Sequence, residues 1–457
     1  MYTNKLSPKR NPAAVRSSAR SEKLEKLLTR TYRKDQILVF FKRKPTDNDI
    51  LTVKESFKKD GIAIETIKVL SCGNCDIPVQ LWTAKGIHSR ISKDSLKAGS
   101  GPSSTTVGES YSLNFTNSVP ADAQSSFQGK KGDLQKPSGG KKEEIIVAVL
   151  DTGVDIALVD PGYLWKQTDA IPGLKCYANV REGWNFVGNT SNYTDDNPNK
   201  HGSIVSQYII NQFAGAENKT VKIMPLKTHD KDGVGDLFGI LCAINFAIAK
   251  GAHIINASWG FYYYYEIPVP YLKTLITAVL RKKGILFVTA AGNQSPADDE
   301  IAKQIYQAEH GITLTEDQLR NLAIHNFYPA NLSTATNSVI TVTTTDEHSV
   351  SATQNYSNKY VDLGVVADQV LREGMKFAIP FEGADPALIS GSSFATAIAS
   401  GIIGAHCPTS LYRPNIKKAD FLACLGSLPV SGSSGTHVLE ENLVLAKKYI
   451  RNGAYVK

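Results

Sequence analysis

The sequence has no run of 18 consecutive apolar residues, which excludes a continuous hydrophobic transmembrane helix. Apolar residues still make up 42% of the 457 positions and charged residues 21%, so the chain can bury a large core and is not disordered as a whole. The net charge is +8, but residues 1–60 carry 16 Lys and Arg against 7 Asp and Glu. The remainder is close to neutral, so we expect no nucleic-acid binding by the main body.

Cysteine is scarce, with six residues in the chain, too few for a disulfide scaffold. Cys72 and Cys75 form a single C-x-x-C pair, whereas zinc sites usually use two such pairs. A plain or redox-sensitive pair is therefore favoured over a structural metal. The N-terminus also lacks an apolar signal-peptide core and a small-residue cleavage site, so the sequence as given favours the cytoplasm over secretion.

Composition divides the N-terminal third of the chain into three segments. Residues 1–34 are basic and polar, and a solvated flexible arm with a short helix near its end is favoured over a contact with an anionic surface. Residues 35–93 predict a small α+β module from one strand, one helix and two further strands. Residues 94–140 are rich in Gly, Ser, Thr and Lys, and most of this stretch is interpreted as a linker open to proteolysis.

Residues 141–457 predict an α/β domain with a doubly wound, mainly parallel sheet. Nearly continuous apolar runs indicate strands that are covered on both faces, and amphipathic segments alternate with them. The predicted strands are 145–150, 222–226, 252–258 and 285–290, and the predicted helices are 202–212, 236–250 and 270–283. Active sites in such sheets gather at the carboxyl ends of the strands.

Two candidate residues lie at such positions in the first half of this domain. Asp151 ends the first strand in an Asp-Thr-Gly triplet, which aspartic proteases also use, but no second Asp-Thr-Gly or Asp-Ser-Gly supplies a partner carboxylate. His201 follows a polar loop and opens a helix. A lone histidine is structural more often than catalytic, so neither residue is specific alone.

Two further candidates complete the set. Ser393 lies at the start of a helix rich in small residues, where unpaired N–H groups and the helix dipole favour a developing oxyanion. Asn293 follows a strand in Ala-Ala-Gly-Asn, where its amide could donate to that oxyanion. The order Asp, His, Ser with this Asn before the Ser separates the chain from chymotrypsin-like and α/β-hydrolase enzymes.

These motifs resemble the subtilisin-like serine peptidases over about 300 residues, from Lys142 to roughly Leu443. Further similarities are the stretches 183–187, 195–197, 254–260, 328–330 and 356–358. The resemblance implies a catalytic triad of Asp151, His201 and Ser393 and an oxyanion-hole amide from Asn293. It also implies a substrate cleft lined on one side by Ser258, Trp259 and Gly260 and on the other by Ala290, Ala291 and Gly292. Ser390 and Ser392 are interpreted as bystanders.

The module at 35–93 resembles the family's N-terminal propeptide, which assists folding and blocks the cleft. The resemblance implies a self-processed zymogen whose own N-terminal module is an intramolecular inhibitor, with self-cleavage in the 94–140 linker. The expected substrate is a protein or peptide, and the chemistry requires no cofactor. Many relatives bind calcium; here only the loop carboxylates Asp160, Asp195 and Asp196 are candidates, and no site is identified. Such propeptides usually accompany export, which leaves the location open.

The chain departs from the family pattern at Ser203, Ser392, Phe394 and Ala397, and residues 364–368 replace a familiar Ala-Pro-Gly. None of these changes removes a reacting atom, so we expect activity, and a catalytically silent fold that serves as a binding or regulatory module is the alternative. Residues 295–327 predict an inserted helix pair, for which a surface decoration is favoured over a lid or partner contact. The aromatic run 261–265 indicates either an aromatic cleft rim or strand packing.

Overall fold

The computed structural model describes residues 24, 26–90, 110–119, 142–214, 216–265, 269–346, 349–381, 388–427 and 449–451. Most of the predicted basic arm, much of the predicted linker and the predicted end of the family resemblance lie outside these ranges. No helix in the described ranges is both long enough and apolar enough to cross a bilayer.

The N-terminal module is an antiparallel sheet covered by one helix. The strands are β1 (Tyr32–Phe40), β2 (Lys68–Ser71), β3 (Val79–Thr83) and β4 (Ser110–Ser118), and the helix is α1 (Asp47–Phe57). Thr46 begins α1 with a capping box, because its hydroxyl accepts from the Asp49 amide while the Asp49 carboxylate accepts from the Thr46 amide. Phe57 ends the helix and packs against Trp82 and Tyr111.

Strand β4 lies inside the stretch whose composition indicated a linker. Its sequence alternates Tyr111, Leu113 and Phe115 with polar residues, which is a strand pattern, and all three of these side chains are buried. β4 pairs with β1 on one edge and, at its C-terminal end, with β8 (Val234–Asp236) on the other. This short alternation was hidden because the surrounding residues 94–140 are rich in Gly, Ser, Thr and Lys.

The second domain contains an eight-stranded parallel sheet, so the predicted doubly wound fold is confirmed. Its strand order is β18-β14-β13-β11-β9-β5-β7-β6. The bounds are β5 (Glu143–Asp151), β6 (Trp184–Asn185), β7 (Lys219–Lys227), β9 (Ile254–Ala257), β11 (Leu286–Ala290), β13 (Val339–Thr345), β14 (Leu363–Val366) and β18 (Tyr449–Arg451). Smaller strands are β10 (Phe261–Tyr262), β12 (Phe327–Tyr328), β15 (Gln369–Leu371), β16 (Gly374–Ala378) and β17 (Leu388–Ile389).

Helices cover the parallel sheet, and the two at its centre carry the candidate residues. They are α2 (His201–Asn211), α3 (Leu237–Ala249), α4 (Pro270–Thr274, continuing through the π-helical turn Leu275–Val279 to Leu280–Lys283), α5 (Pro296–His310), α6 (Glu316–Arg320), α7 (Ser392–His406) and α8 (Lys418–Ser427). Helix α7 is buried from Ser392 to Ala405 and packs on α2, because its Ala, Gly and Ser residues allow close approach.

Two large hydrophobic cores account for most of the buried apolar side chains in the described part of the chain. One lies between the sheet and α2, α7 and α8, entirely within the second domain. The other begins in the module with residues such as Phe57 and Trp82 and continues without a break to α3 and α4 of the second domain. The module therefore shares its core with the larger domain, as expected for a unit of this size.

The structure corrects the expectation for the cysteines. Cys72 and Cys75 do not form a local pair: Cys72 is disulfide-bonded to Cys242 and Cys75 to Cys176. A third disulfide joins Cys407 to Cys424. The first two bonds link the module to the second domain. Disulfides are typical of oxidising compartments, which weighs against the cytoplasmic expectation.

The end of the predicted basic arm is also not a solvated segment. Leu24, Leu27 and Leu28 are buried against Ile305 of α5, and β1 already begins at Tyr32. Helices α5 and α6 are the predicted inserted pair. The insertion therefore serves as a packing surface for the segment that leads into the module, which neither of the two expectations for it included.

Candidate active site

Asp151 and His201 meet at the carboxyl end of β5. His201 is the first residue of α2, and its Nδ1 lies 2.8 Å from Asp151 Oδ1. The same carboxylate oxygen accepts from the Thr152 amide at 2.7 Å. Both side chains are almost fully buried, at 0% and 3% exposure. A buried carboxylate bound to Nδ1 sets the imidazole tautomer that carries its proton on that nitrogen.

The start of α2 is held by contacts that the sequence did not indicate as functional. The buried Asp195 carboxylate accepts from both the amide and the hydroxyl of Ser203. Burial raises the pKa of Asp195, and its hydrogen bonds to Ser203 oppose that rise. Gly202 is required sterically, since a Cβ there would lie 2.3 Å from the Gly153 carbonyl oxygen. The position of His201 is therefore fixed by packing and by hydrogen bonds.

Ser393 lies in the first turn of α7 and is fully buried. Its hydroxyl donates to the Ser258 carbonyl oxygen at 3.1 Å, and the Ser258 hydroxyl donates back to the Ser393 carbonyl oxygen at 2.8 Å. The ring of the adjacent Phe394 packs on the His201 ring, with centroids 5.2 Å apart. Phe394, a departure from the family pattern, thus connects the serine helix to the histidine.

Asn293 follows β11, and Ser392 holds its side-chain oxygen. Asn293 Oδ1 accepts from the amide and the hydroxyl of Ser392, both at 2.9 Å, while the Ser392 hydroxyl also accepts from the Gly292 amide. Because the oxygen is held this way, the Nδ2 group is turned away from Ser392 and lies beside Gly391. Ser392, interpreted from sequence as a bystander, is a positioning residue for the Asn293 amide.

The two predicted sides of the cleft are both buried backbone segments. Ser258, Trp259 and Gly260 follow β9, and Gly260 pairs with Ser118 of β4 through hydrogen bonds of 3.1 and 3.2 Å. On the other side, Ala290 ends β11, and the carbonyl groups of Ala291 and Gly292 accept from the side chain and amide of Asn355. The structure therefore brings β4 to the Ser258–Gly260 side.

The second edge of β4 meets residues that sequence analysis missed. Thr116, Asn117 and Ser118 pair with β8 in antiparallel register, and the Val119 amide donates to the Gly233 carbonyl oxygen at 3.0 Å. The β4 end therefore lies as an extended strand between β8 and Gly260. The Gly233-Val-Gly235 sequence was the available signal, since such a stretch allows close backbone approach.

The candidate calcium carboxylates are not gathered around one point. Asp160 accepts from the Gly162 amide, Asp195 binds Ser203, and Asp196 pairs with Lys227. Within the described ranges, no group of three or more His, Cys, Asp or Glu side chains is arranged to hold a metal ion.

The fold and this geometry agree with the sequence comparison: the chain belongs to the subtilase family, whose profile (Peptidase_S8) matches residues 142–407. Subtilases are subtilisin-like serine peptidases, as the resemblance of the motifs implied.

Among known proteins, the chain is 35% identical over 125 residues to the cell wall-associated protease of Bacillus subtilis, which covers 26% of this chain and 12% of that protein. It is 32% identical over 196 residues to subtilisin-like protease 1 of Plasmodium falciparum, covering 40% of this chain and 25% of that one. The chain thus spans a quarter or less of these two relatives. A crystal structure of a mutant epidermin leader peptide processing serine protease from Staphylococcus aureus shares the fold, with a TM-score of 0.54, 16% identity and coverage of 93% of this chain and 100% of that one.

Proposed function

We propose that the protein is a serine endopeptidase in which Asp151, His201 and Ser393 form the catalytic triad. The observation that carries this proposal is the buried 2.8 Å contact between Asp151 and His201 Nδ1, with Ser393 at the start of the buried helix whose Phe394 packs on the histidine ring. A buried Asp–His pair without a catalytic role would be a costly structural element, because both polar groups are removed from water.

The proposed reaction proceeds through an acyl-enzyme. Ser393 Oγ attacks the scissile carbonyl carbon while His201 Nε2 takes the hydroxyl proton, and the same nitrogen then gives that proton to the leaving amine. Water enters, loses a proton to His201 and releases the acid by attack on the ester. Asp151 stabilises the imidazolium in both halves. All protons and electron pairs come from these side chains, the substrate and water, so the chemistry needs no cofactor.

Asn293 is proposed to bind the oxyanion that forms on the substrate carbonyl, together with the backbone N–H of Ser393. The support is the orientation of its amide, whose oxygen is held by Ser392 so that Nδ2 is left as the donor toward Gly391. Preorganised donors of this kind stabilise the transition state without reorganising during the reaction.

The N-terminal module is proposed to be an intramolecular inhibitor in a self-processed zymogen. Support comes from the strand register: Ser118 pairs with Gly260, and two residues before Gly260 lies Ser258, whose carbonyl oxygen contacts the Ser393 hydroxyl. In an antiparallel pair, residues that follow Ser118 run toward Ser258. The described end of β4 is therefore directed at the proposed nucleophile, and we propose self-cleavage within a few residues of Val119.

The test is intact-mass measurement on the wild-type chain, S393A and S390A, each incubated alone and then treated with dithiothreitol and a fluorophosphonate probe. Ser390 is the matched control, because its hydroxyl donates to the Met375 carbonyl oxygen outside the proposed triad. We expect wild type and S390A to be cut shortly after Val119 and labelled at Ser393, with S393A whole and unlabelled. A labelled but uncut chain would retain the triad and overturn self-processing; an unlabelled wild type would overturn the peptidase itself.

A further inference from the structure

The aromatic run Phe261–Tyr265 presents alternate residues to two different partners. Phe261, Tyr263 and Tyr265 surround Phe115 of β4, with ring centroids 5.9, 5.3 and 5.5 Å from its ring. The Phe261 ring is stacked on Phe115 and the Tyr263 ring meets it edge-on. We call these three residues the aromatic rim. Together they enclose a single phenyl side chain.

The other two residues of the run lie on its opposite face and support the rim by packing against other residues. Tyr262 stacks on His325 at 4.1 Å with nearly parallel rings, and Tyr264 packs against Tyr306 and His325. These partners belong to the insertion that contains α5 and α6. The Tyr262 hydroxyl also donates to the Asn293 carbonyl oxygen at 3.2 Å. The rim is therefore a supported surface that is connected to the candidate oxyanion residue.

We propose that the aromatic rim is a substrate subsite that selects an aromatic side chain three residues before the residue that pairs with Gly260. Phe115 occupies this position relative to Ser118 in β4. The inference rests on the proposed function, because it treats β4 as the segment bound in the manner of a substrate. The substrate class is then a peptide bound as an antiparallel strand, with an aromatic residue well upstream of the scissile bond.

Physical reasons favour this subsite over a contact limited to the module. Offset-stacked and edge-on ring pairs are favourable beyond the burial of area. Without β4 the rim would expose three aromatic rings beside a strand edge, and such surfaces usually bind something. The β4 backbone pairs with Gly260 and β8 irrespective of sequence, so side-chain pockets along it must supply the specificity.

The experiment measures hydrolysis of two synthetic peptides by the full self-processed chain in the presence of dithiothreitol, which reduces the two disulfides that join the module to the second domain. One has the sequence of residues 110–128, and the other differs only by Phe115→Ala. We expect the Phe peptide to have a kcat/KM roughly tenfold higher, since a buried phenyl group is worth about one decade or more. In Y263L this ratio should fall toward one, whereas in the matched control Y412L, a partly buried tyrosine that packs on His253 and Phe421 away from the rim, it should persist.

The ratio within each variant cancels differences in folding and in active-site content. A ratio near one in the wild type, with both peptides cleaved, would overturn the subsite while the peptidase proposal stands. An equal fall in Y263L and Y412L would also overturn it, since the rim would then act only through general packing. Failure to cleave either peptide while the fluorophosphonate probe labels Ser393 would contradict β4 as a substrate-like segment and the subsite with it; failure of labelling would contradict the peptidase proposal.

A second inference comes from the disulfides. Cys72 and Cys75 lie in the loop between β2 and β3, and each is bonded to a different cysteine of the second domain, Cys242 and Cys176. Both bonds join residues on opposite sides of the 120–141 stretch, where cleavage after Val119 would fall. A cut there leaves two polypeptides that are still connected by two covalent bonds.

We propose that self-cleavage does not release the module and that the processed protein is a two-chain protease whose inhibitor is retained until both disulfides are reduced. Each bond requires one equivalent of a dithiol: two electrons and two protons pass to the cysteine sulfurs, which become thiols, and the dithiol becomes a disulfide. Cys176 is half-buried whereas Cys72 and Cys242 are buried, so we expect the Cys75–Cys176 bond to be reduced first.

The retention can be tested without self-cleavage. In S393A, a recognition sequence for an unrelated protease replaces residues 129–135, and the chain is cut to completion and analysed by native size-exclusion chromatography. We expect the two pieces to elute together without reductant and to separate at low concentration with dithiothreitol. The variant in which Cys72, Cys75, Cys176 and Cys242 are all changed to Ser should separate without reductant. The matched control C407S/C424S should behave as S393A does.

The second readout is peptide hydrolysis by the processed wild-type chain. Because linkage raises effective concentration, reductant should increase the rate by about 10²-fold. Separation of the cut S393A pieces without reductant, or co-elution that persists in the quadruple variant, would overturn the proposal. If the wild-type chain is not cut at all, the S393A experiment still decides whether the disulfides retain the module, so the two proposals fail separately.

Discussion

The two parts of the chain that meet at the cleft differ in how their cores are built. The second domain has a core of its own between its parallel sheet and α2, α7 and α8. The module has none that is separate: Phe57, Trp82 and Tyr111 belong to a core that continues into α3 and α4. One part has a core of its own in addition to the shared one, whereas the other has only the shared core.

This difference bears on the proposed inhibition. Because the module shares its core with the second domain, it gains stability when it is bound, and we expect loss of its packing and opening of the cleft to occur together. Its attachments are a shared core, two disulfides and β4 between Gly260 and β8. We therefore expect that destabilising the module opens the active site, whereas destabilising the second domain destroys the active site.

The sharpest test compares two fully buried phenylalanines, one in each part. Phe57→Ala should cost about 3–5 kcal/mol in the module and Phe421→Ala a similar amount in the second domain, because each leaves a large cavity. We expect F57A to raise basal peptide hydrolysis and F421A to lower it, measured together with thermal unfolding. If both variants lose activity in parallel, the module is required for the fold of the mature domain and the comparison fails.

A change in the catalytic machinery should leave both cores untouched. Asn293→Leu should reduce kcat by about 10²–10³ with little change in KM, since the donor acts mainly in the transition state. The matched control is Y262F, which removes one hydrogen bond to the Asn293 carbonyl oxygen and keeps the amide; its fall should be smaller. An N293L enzyme within tenfold of wild type would remove Asn293 from the oxyanion role.

Sequence patterns predicted the second domain better than the module, for a physical reason. Asp151, His201, Asn293 and Ser393 each lie in a short motif at a strand or helix end, and the parallel sheet brings such ends together. The strands of the parallel sheet are also easy to recognise as nearly continuous apolar runs, because both faces of that sheet are buried.

What the sequence did not reveal depends on residues far apart in the chain. The disulfides join cysteines separated by 170 and 101 positions, and no local pattern encodes those pairings. β4 was hidden because its short apolar alternation lies within a stretch of polar composition. Ser392 was interpreted as a bystander because its contact is with Asn293, which lies far from it in the sequence.

Acid should destabilise the second domain more than the module. Burial lowers the pKa of both His325 and His229 to about 3, and the neighbouring Arg320 adds to this for His325. In the unfolded chain these imidazoles bind protons near pH 6.5, whereas in the folded protein they do so only near pH 3. The free energy of unfolding therefore has its full value above pH 6.5 and falls as the pH drops toward 3. Each histidine should account for about 2 kcal/mol at pH 5.

His325→Gln should remove its share of this pH dependence. The measurement is the free energy of unfolding from denaturant titrations between pH 5 and 8 for wild type and H325Q. His88 is the only histidine before residue 120, so H88Q in the module is the matched control. A wild-type stability that does not change over this range would show that the two buried histidines do not titrate as their burial predicts.

The smallest expected effect tests whether β4 opens together with the rest of the module or independently of it. Thr46 and Thr315 each begin a helix with a capping box, α1 in the module and α6 in the insertion. Loss of either cap by substitution with Ala should cost about 1 kcal/mol, which corresponds to about fivefold faster amide exchange in the affected helix. Hydrogen exchange of T46A and the control T315A measures this directly. If T46A also speeds exchange at 111–118 in β4, the module opens as one unit and its stability controls access to the cleft; if only α1 responds, β4 is held by its own pairing with Gly260 and β8.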